Sequence, residues 1–212
     1  MYDSFPANTT LRCRSSTNNE DLPGFNGAGL YESYTHHLDE GHIMKSVKQV
    51  WAGLWTYRAW EEREFYRIDH LAVYMGVLIH PNFADEQANG VGVTRNIYDP
   101  NWTGYYINAQ LGEDLVTNPE AASVPDELLV SRIGPQFQYE IQYVRFSNQV
   151  PAGTHVLSNA QIYQLASMMQ TIQNHFIGVY NPPIPAQFAM EIEFKVTVDG
   201  NIAIKQARPW VD

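Results

Sequence analysis

Apolar residues recur at spacings of three and four through Ile43, Val47, Val50, Leu54, Tyr57 and Trp60, which predicts a helix over residues 42–68. Ala72 to Ile79 is an apolar run that stops before Pro81 and reads as a strand. Short strands are expected near 91–95 and 103–109, and Gln138 to Phe146 alternates as another. Residues 112–136 hold Asn118-Pro119, Val124-Pro125 and Gly134-Pro135, which predict a long excursion with a helical turn at most. Ser158 is placed to cap a helix running to Phe176, with Ile162, Leu165, Met168, Met169 and Ile172 on its inward stripe. Asn181-Pro-Pro-Ile-Pro185 ends it. Helices interspersed with antiparallel strands make an α+β chain with mixed or antiparallel sheets and packed helices.

The last segment, Met190 to Trp210, has two β-rich runs flanking Asp199-Gly200, a dipeptide that favours a two-residue type I′ turn. That turn sets Val198 opposite Asn201, Glu193 opposite Gln206 and Glu191 opposite Arg208. Because strand side chains alternate, these last four share one face, while Ile192, Phe194, Val196, Val198 and Ala203 form the core face. Glu191, Glu193 and the Gln206 amide are hard oxygen ligands suited to Mg²⁺, and the Arg208 guanidinium forks onto phosphate. On the hairpin alone, an ordinary cross-strand ion pair between Glu191 and Arg208 is the better reading, because ion pairs are common in sheets.

At the other end, Leu11-Arg-Cys-Arg-Ser-Ser16 is a short strand with a cation and two hydroxyls. Glu20-Asp21 follow, then the glycine-rich run Gly24-Phe-Asn-Gly-Ala-Gly-Leu-Tyr-Glu-Ser33. Gly24, Gly27 and Gly29 let the backbone approach a ligand closely, and its N–H groups can cradle phosphate.

Composition narrows the classes. The net charge of −10 works against nucleic-acid binding. The 44% hydrophobic and 17% charged content is that of a globular chain with a sizeable core. A single cysteine, Cys13, excludes an internal disulfide, fits a reducing, cytoplasmic setting and reads as a small buried hydrophobe. No apolar run approaches membrane-spanning length, so no membrane role is expected. His36, His37 and His42 read as a solvated loop rather than a metal site. Glu61, Glu62 and Glu64 with Arg63 and Arg67 read as an exposed helical face, and Trp51, Trp55, Tyr57 and Trp60 as packing.

Together these motifs resemble the nucleotide-binding domain of the dikinases, the family of phosphoenolpyruvate synthase, pyruvate phosphate dikinase and the glucan water dikinases. Arg14-Ser-Ser16 with Glu20-Asp21 is similar to the family's R-S-S…E-D element, and Phe25 to Ser33 to its phosphate loop. Val50-Trp-Ala-Gly-Leu-Trp-Thr-Tyr-Arg-Ala59, Asn89-Gly-Val-Gly-Val-Thr-Arg-Asn96 and Tyr106-Ile-Asn-Ala-Gln-Leu-Gly-Glu-Asp114 match further segments in the same order. Glu191-x-Glu193 and Gln206-Ala-Arg-Pro209 match the closing strands.

The resemblance implies a partial, ATP-grasp-like domain over 1–212 with lobes near 1–80 and 81–212. It implies ATP and Mg²⁺ as cofactors. Arg14 and Arg208 would hold phosphates and stabilise charge during transfer, with Glu113 and Asp114 near the terminal phosphate or its acceptor. Gly27, Ala28 and Gly29 would lie over the phosphates, Arg58 would be a phosphate-side arginine, and Glu191, Glu193 and Gln206 would hold the metal. It further implies transfer of the β-phosphoryl group of ATP to a histidine on a separate domain, with phosphohistidine and pyruvate- or phosphoenolpyruvate-binding domains as partners. A glucan-directed fragment, or a nucleotide sensor without catalysis, would fit the same motifs. The family's Gly-x-Lys segment stands ahead of the Arg-Ser-Ser strand, whereas here ten residues precede Leu11 and the first lysine is Lys45. Leu78-Ile79-His80 stands where relatives have Val-Gln at the adenine side. The chain by itself is therefore expected to be inactive.

Overall fold

A computed structural model describes residues 5, 8–22, 25–26, 29–82, 85–99, 101–112, 122–133 and 138–210. The chain divides into two compact units, Met1–Asn82 and Phe83–Asp212. Both mix helices with antiparallel strands, so the α+β class holds.

The first unit contains strands β1 (Leu11–Thr17), β2 (Asp21–Leu22), β3 (Phe25–Asn26), β4 (Tyr34–His36) and β5 (Met75–Pro81), with helices α1 (Met44–Ala52) and α2 (Tyr57–Phe65). Its three-stranded sheet runs β4-β1-β5, all antiparallel. Leu11 and Cys13 turn inward with Val77 and Ile79 and meet Ile43, Val47 and Val50 from the α1 side. Cys13 is fully buried, and burial pushes its thiol up from the ordinary range.

The helix expected over 42–68 is broken. A 3₁₀ turn at Gly53–Trp55 follows α1, and Thr56 leaves helical space at φ −65°, ψ 151°. Its Oγ1 then accepts the Ala59 N–H and starts α2, so the break is a capping event that hydrophobic periodicity does not register. The strand expected from Ala72 likewise starts at Met75, because Asp69 caps a 3₁₀ turn over His70–Ala72.

The second unit has a six-stranded antiparallel sheet of β6 (Ala88–Val93), β7 (Tyr105–Leu111), β8 (Asp126–Ile133), β9 (Gln138–Arg145), β10 (Met190–Val196) and β11 (Ile202–Pro209), in the order β11-β10-β6-β7-β8-β9. Helix α3 (Asn159–Tyr180) packs on one face. Ile162, Leu165 and Met169 from the helix meet Ile107, Leu128, Val130, Ile192 and Phe194 from the sheet. Each such fully buried side chain contributes about 1.5–3 kcal/mol. Ser158 caps α3 as expected, in a reciprocal box with Gln161, and Asn181 ends the helix in the left-handed region at φ 43°.

The excursion expected over 112–136 is wrong in its second half. Residues 126–133 form β8, with Leu128 and Val130 buried under α3. Pro125 stands just ahead of the strand, where a missing N–H costs no ladder bond. The glycines of the Asn89–Asn96 segment serve packing. A Cβ on Gly90 would strike the Phe194 ring and the Asn108 carbonyl, and one on Gly92 would meet the Met169 methyl at 2.8 Å.

Candidate functional site

Strand β10 is internal, next to the edge strand, hydrogen-bonded to β11 on one side and β6 on the other. Glu191 pairs with Arg208 and Glu193 with Gln206, as the hairpin register predicts. The turn differs from the expected one. Thr197 N–H donates to the Asn201 carbonyl at 2.9 Å and Gly200 N–H to the Thr197 carbonyl at 2.8 Å. Val198–Gly200 is therefore a three-residue loop that closes on Gly200 at φ 79°. Val196 consequently faces Ile202, and Phe194 faces Ile204. A register shift between Glu193 and Phe194 leaves Lys205 as the extra residue of a β-bulge. The longer loop and the bulge cancel, which restores the predicted pairing at the four polar residues.

The core face needs the matching correction. Ile202, Ile204 and Ala207 join Ile192, Phe194 and Val196 against α3. Val198 is exposed in the loop, and Ala203 lies opposite Lys195 on the other face.

That other face carries polar residues across the sheet. One cross-strand row reads Gln206, Glu193, Val91, Asn108, Glu127, and the next reads Arg208, Glu191, Val93, Tyr106, Leu129. Arg208 Nη2 donates to Glu191 Oε1 at 2.7 Å. Farther along β10, Lys195 Nζ meets Glu86 Oε2 at 2.6 Å with both side chains nearly buried, so this cation is neutralised locally. On β8, Glu127 Oε1 accepts from Tyr106 Oη at 2.8 Å and from the Tyr98 hydroxyl, while Arg145 Nε lies 3.6 Å from Oε2. Burial first, and then the bond to Glu127, drives the Tyr106 phenol far above its usual range, so it remains a donor. Sequence reasoning missed Glu127 because its strand read as irregular. Asn108 stood within a quoted motif without a role, although the Tyr106–Asn108–Gln110 alternation marks a polar face.

The first-unit candidates are distributed as follows. Arg14 and Arg12 alternate with buried Leu11 and Cys13, and so project from the β1 face opposite α1. Arg12 Nη1 donates to Thr35 Oγ1 at 2.7 Å. Ser15, in the Arg-Ser-Ser element, donates its hydroxyl to the Tyr31 carbonyl at 3.3 Å and its backbone N–H to Ser33 Oγ at 3.3 Å. Strand β1 is thereby tied to the end of the glycine-rich run. Gly29 sits at φ 72°, a conformation that L side chains avoid. Arg58 is exposed on α2. Gly27, Ala28, Glu113 and Asp114 lie outside the described residues.

Three discounted groups come out differently. Arg63 is wholly buried, its Nη2 donating to the Leu54 carbonyl, Nε to His70 Nδ1 at 3.0 Å and Nη1 to Tyr31 Oη. Its donors meet the Leu54 carbonyl, the His70 ring and the Tyr31 hydroxyl, so this α2 side chain turns inward and is not part of an exposed charged face. His36 is buried, with Ser46 Oγ at 3.0 Å and the Gly41 carbonyl at 3.2 Å, rather than in a solvated loop. Trp51, Trp55, Tyr57 and Trp60 are exposed, and the packing they do make is at the surface: Trp60 stacks on His70 at 5.8 Å and on Tyr57 at 6.3 Å, and Arg63 lies over the Trp55 ring at 5.6 Å. Among the described residues no three His, Cys, Asp or Glu side chains converge as a closed metal cage. No described helix is long and apolar enough to cross a membrane.

The geometry thus presents two carboxylates, an amide and a guanidinium on one rigid sheet face, an arrangement able to take a polyanion through hydrogen bonds or a hard cation through oxygen. Comparison with known proteins agrees. The model for the pyruvate phosphate dikinase AMP/ATP-binding domain matches residues 1–211. Phosphoenolpyruvate synthase of Pyrococcus furiosus is 30% identical over 220 residues, covering 92% of this chain and 25% of that protein. The synthase of Aeropyrum pernix is 26% identical over 239 residues, with 92% and 28% covered. Rifampicin phosphotransferase of Streptomyces sviceus is 28% identical over 180 residues, with 79% and 21% covered. The chain spans about a quarter of the length of these relatives. By the extent of these matches, the chain belongs to the pyruvate phosphate dikinase AMP/ATP-binding domain family, an ATP-binding domain of phosphotransferases.

Proposed function

We propose that this chain is the ATP-binding portion of a dikinase-type phosphotransferase of ATP-grasp-like fold, passing the β-phosphoryl group of ATP to a histidine on a separate domain. The observation that supports it is the hairpin register, which presents Glu191, Glu193, Gln206 and Arg208 together on one sheet face. Phosphoryl transfer depends chiefly on positioning and charge stabilisation, and cations and oxygen ligands on rigid strands meet that need.

Magnesium fits the donor set, because it takes oxygen ligands and is ordinarily held by one or two carboxylates together with phosphates and water. Glu191, Glu193 and Gln206 would hold it, and when bound it would neutralise charge on the polyphosphate. In the same reading Arg208 and Arg14 grip phosphate oxygens, and Arg58 adds a third cation on the phosphate side. The run Gly27–Gly29 covers the phosphates, while Glu113 and Asp114 stand at the terminal phosphate or its acceptor. Histidine-bearing and pyruvate- or phosphoenolpyruvate-binding domains complete the cycle, so the chain alone is inactive. A cytoplasmic setting fits the buried thiol of Cys13.

The test is Glu193→Ala in the full-length natural protein. Acid-labile, ATP-dependent histidine phosphorylation should vanish while thermal unfolding stays within a few degrees of wild type. Undiminished phosphorylation would remove Glu193 from the reaction. Nucleotide binding without any phosphohistidine in the wild-type protein would point to a sensor instead.

A further inference from the structure

We propose that Arg63 and Tyr31 form a buried positioning pair that holds the glycine-rich run and the Arg14 strand in register for phosphate. This rests on the function proposed above and adds to it two side chains that act through the backbone they hold.

Arg63 is wholly buried, yet its acceptors are all neutral: the Leu54 carbonyl, His70 Nδ1 at 3.0 Å and the Tyr31 hydroxyl at 3.4 Å. Neighbouring Glu64 meets His70 Nε2 at 2.7 Å instead. A guanidinium buried without a counter-charge adds little to stability, and a well-packed apolar side chain would serve a core better. Its distinguishing property is a planar fork that fixes several acceptors in direction at once. Those acceptors lie on three separate stretches: the 3₁₀ turn Gly53–Trp55, the 3₁₀ turn His70–Ala72, and Tyr31, two residues past Gly29.

Tyr31 is held at three places. Its ring packs with Leu30, Leu54, Ala59 and Val73. Its hydroxyl receives Asn19 Nδ2 at 2.8 Å as well as the Arg63 donor, and Asn19 is itself buried. Its carbonyl receives the Ser15 hydroxyl at 3.3 Å, and Ser15 follows Arg14 on β1. One residue thus joins the exit of the glycine-rich run to the strand that carries Arg14. Gly29, at φ 72°, turns the backbone just ahead of it, so the way Tyr31 is held sets where that turn points. A phosphate site built from backbone N–H groups and a guanidinium needs both held to within about 0.5 Å. A fixed Tyr31 supplies this before the ligand arrives, and a loosened one lowers the fraction of molecules ready to bind.

The test uses the full-length natural protein, with amide hydrogen exchange read by peptide and calorimetry with a non-hydrolysable ATP analogue and Mg²⁺. Tyr31→Phe keeps the ring and removes the hydroxyl. Exchange at Gly29–Ser33 should quicken about five- to tenfold, the equivalent of one hydrogen bond, while α1 is unchanged. The analogue should bind about five- to tenfold more weakly. Arg63→Lys keeps the charge but loses the fork, and should change both readouts about two- to fivefold. Added to Tyr31→Phe, it should weaken binding by less than about twofold more, because the shared bond is already gone. Unchanged exchange at Gly29–Ser33, or faster exchange spread evenly over the first unit, overturns the inference. Should Arg63→Lys fail to fold, Tyr31→Phe decides the matter by the same criteria. If the wild type binds the analogue and both variants bind it equally well, this inference alone fails. If the wild type binds no analogue, the proposed function fails and this inference with it.

Discussion

Arg208 donates to Glu191 across 2.7 Å, with the two side chains 14% and 16% exposed, so the pair that closes the hairpin is largely out of water. Its removal on one side should therefore matter. Arg208→Ala leaves the Glu191 carboxylate without its donor and should cost about 1–3 kcal/mol in urea unfolding. The double variant Glu191→Gln/Arg208→Met should recover part of that loss, because no lone charge remains. A single-variant cost below about 0.5 kcal/mol would reduce the pair to an ordinary surface contact.

Gly90 is held small by its neighbours. Substitution to Ala drives a Cβ into the Phe194 ring and the Asn108 carbonyl. Overpacking of this kind costs about 1–3 kcal/mol. The expected outcome is a clear drop in the denaturant midpoint with an unchanged slope, and an unshifted midpoint would show that the Phe194 ring moves aside freely.

Tyr143 carries a buried hydroxyl that has no partner among the described residues. Its ring stacks on His155 at 3.9 Å, a contact that Phe preserves. Tyr143→Phe should be neutral or stabilising by up to about 1 kcal/mol. Burial, and secondly the charge of Asp126, push this phenol up to about 12 from its ordinary 10. The unfolded chain thus gives up the proton first. The stability from this group is full below pH 10 and is lost as pH rises towards 12. Alkaline unfolding curves of the Phe variant should be shallower across that window, and identical slopes would refute the assignment.

Lys205 is the surplus residue of the bulge. Deleting it should leave Gln206 opposite Glu193 and Ile204 opposite Phe194, since both flanking pairs already exist. A folded protein with cross-strand amide contacts intact is expected. Deleting Gln206 instead should seat Lys205 opposite Glu193 and remove the amide from the candidate site. Loss of folding in the Lys205 deletion, detected by circular dichroism, would show that the bulge itself is required.

Much of this molecule was legible in its residues. Ser158 and the apolar stripe from Ile162 to Ile172 announced α3, and the alternation of Glu191 to Val196 announced β10 with its polar and apolar faces. These are local signals, set by capping chemistry and by the period of two that any strand imposes. The pairing of Glu191 with Arg208 and Glu193 with Gln206 was also foreseen, although two unforeseen one-residue displacements had to cancel for it to hold. Propensity does not report a bulge, because the bulge is settled by which side chains α3 accepts: Ile202 and Ile204 fill its underside, where Ala203 would leave space.

Other features were decided only by packing. Strand β8 hid among prolines until Leu128 and Val130 found α3, and Arg63 read as surface until Tyr31, Leu54 and His70 gathered around its guanidinium. The hydrogen-bond chain from Asn108 through Tyr106 to Glu127 belongs to the same class, since no single segment contains Tyr106, Glu127 and Tyr98. Local pattern determined which elements form and which residue types line them. Tertiary contact decided which polar atoms are matched, because a hydrogen bond between distant strands exists only once the sheet has brought them together.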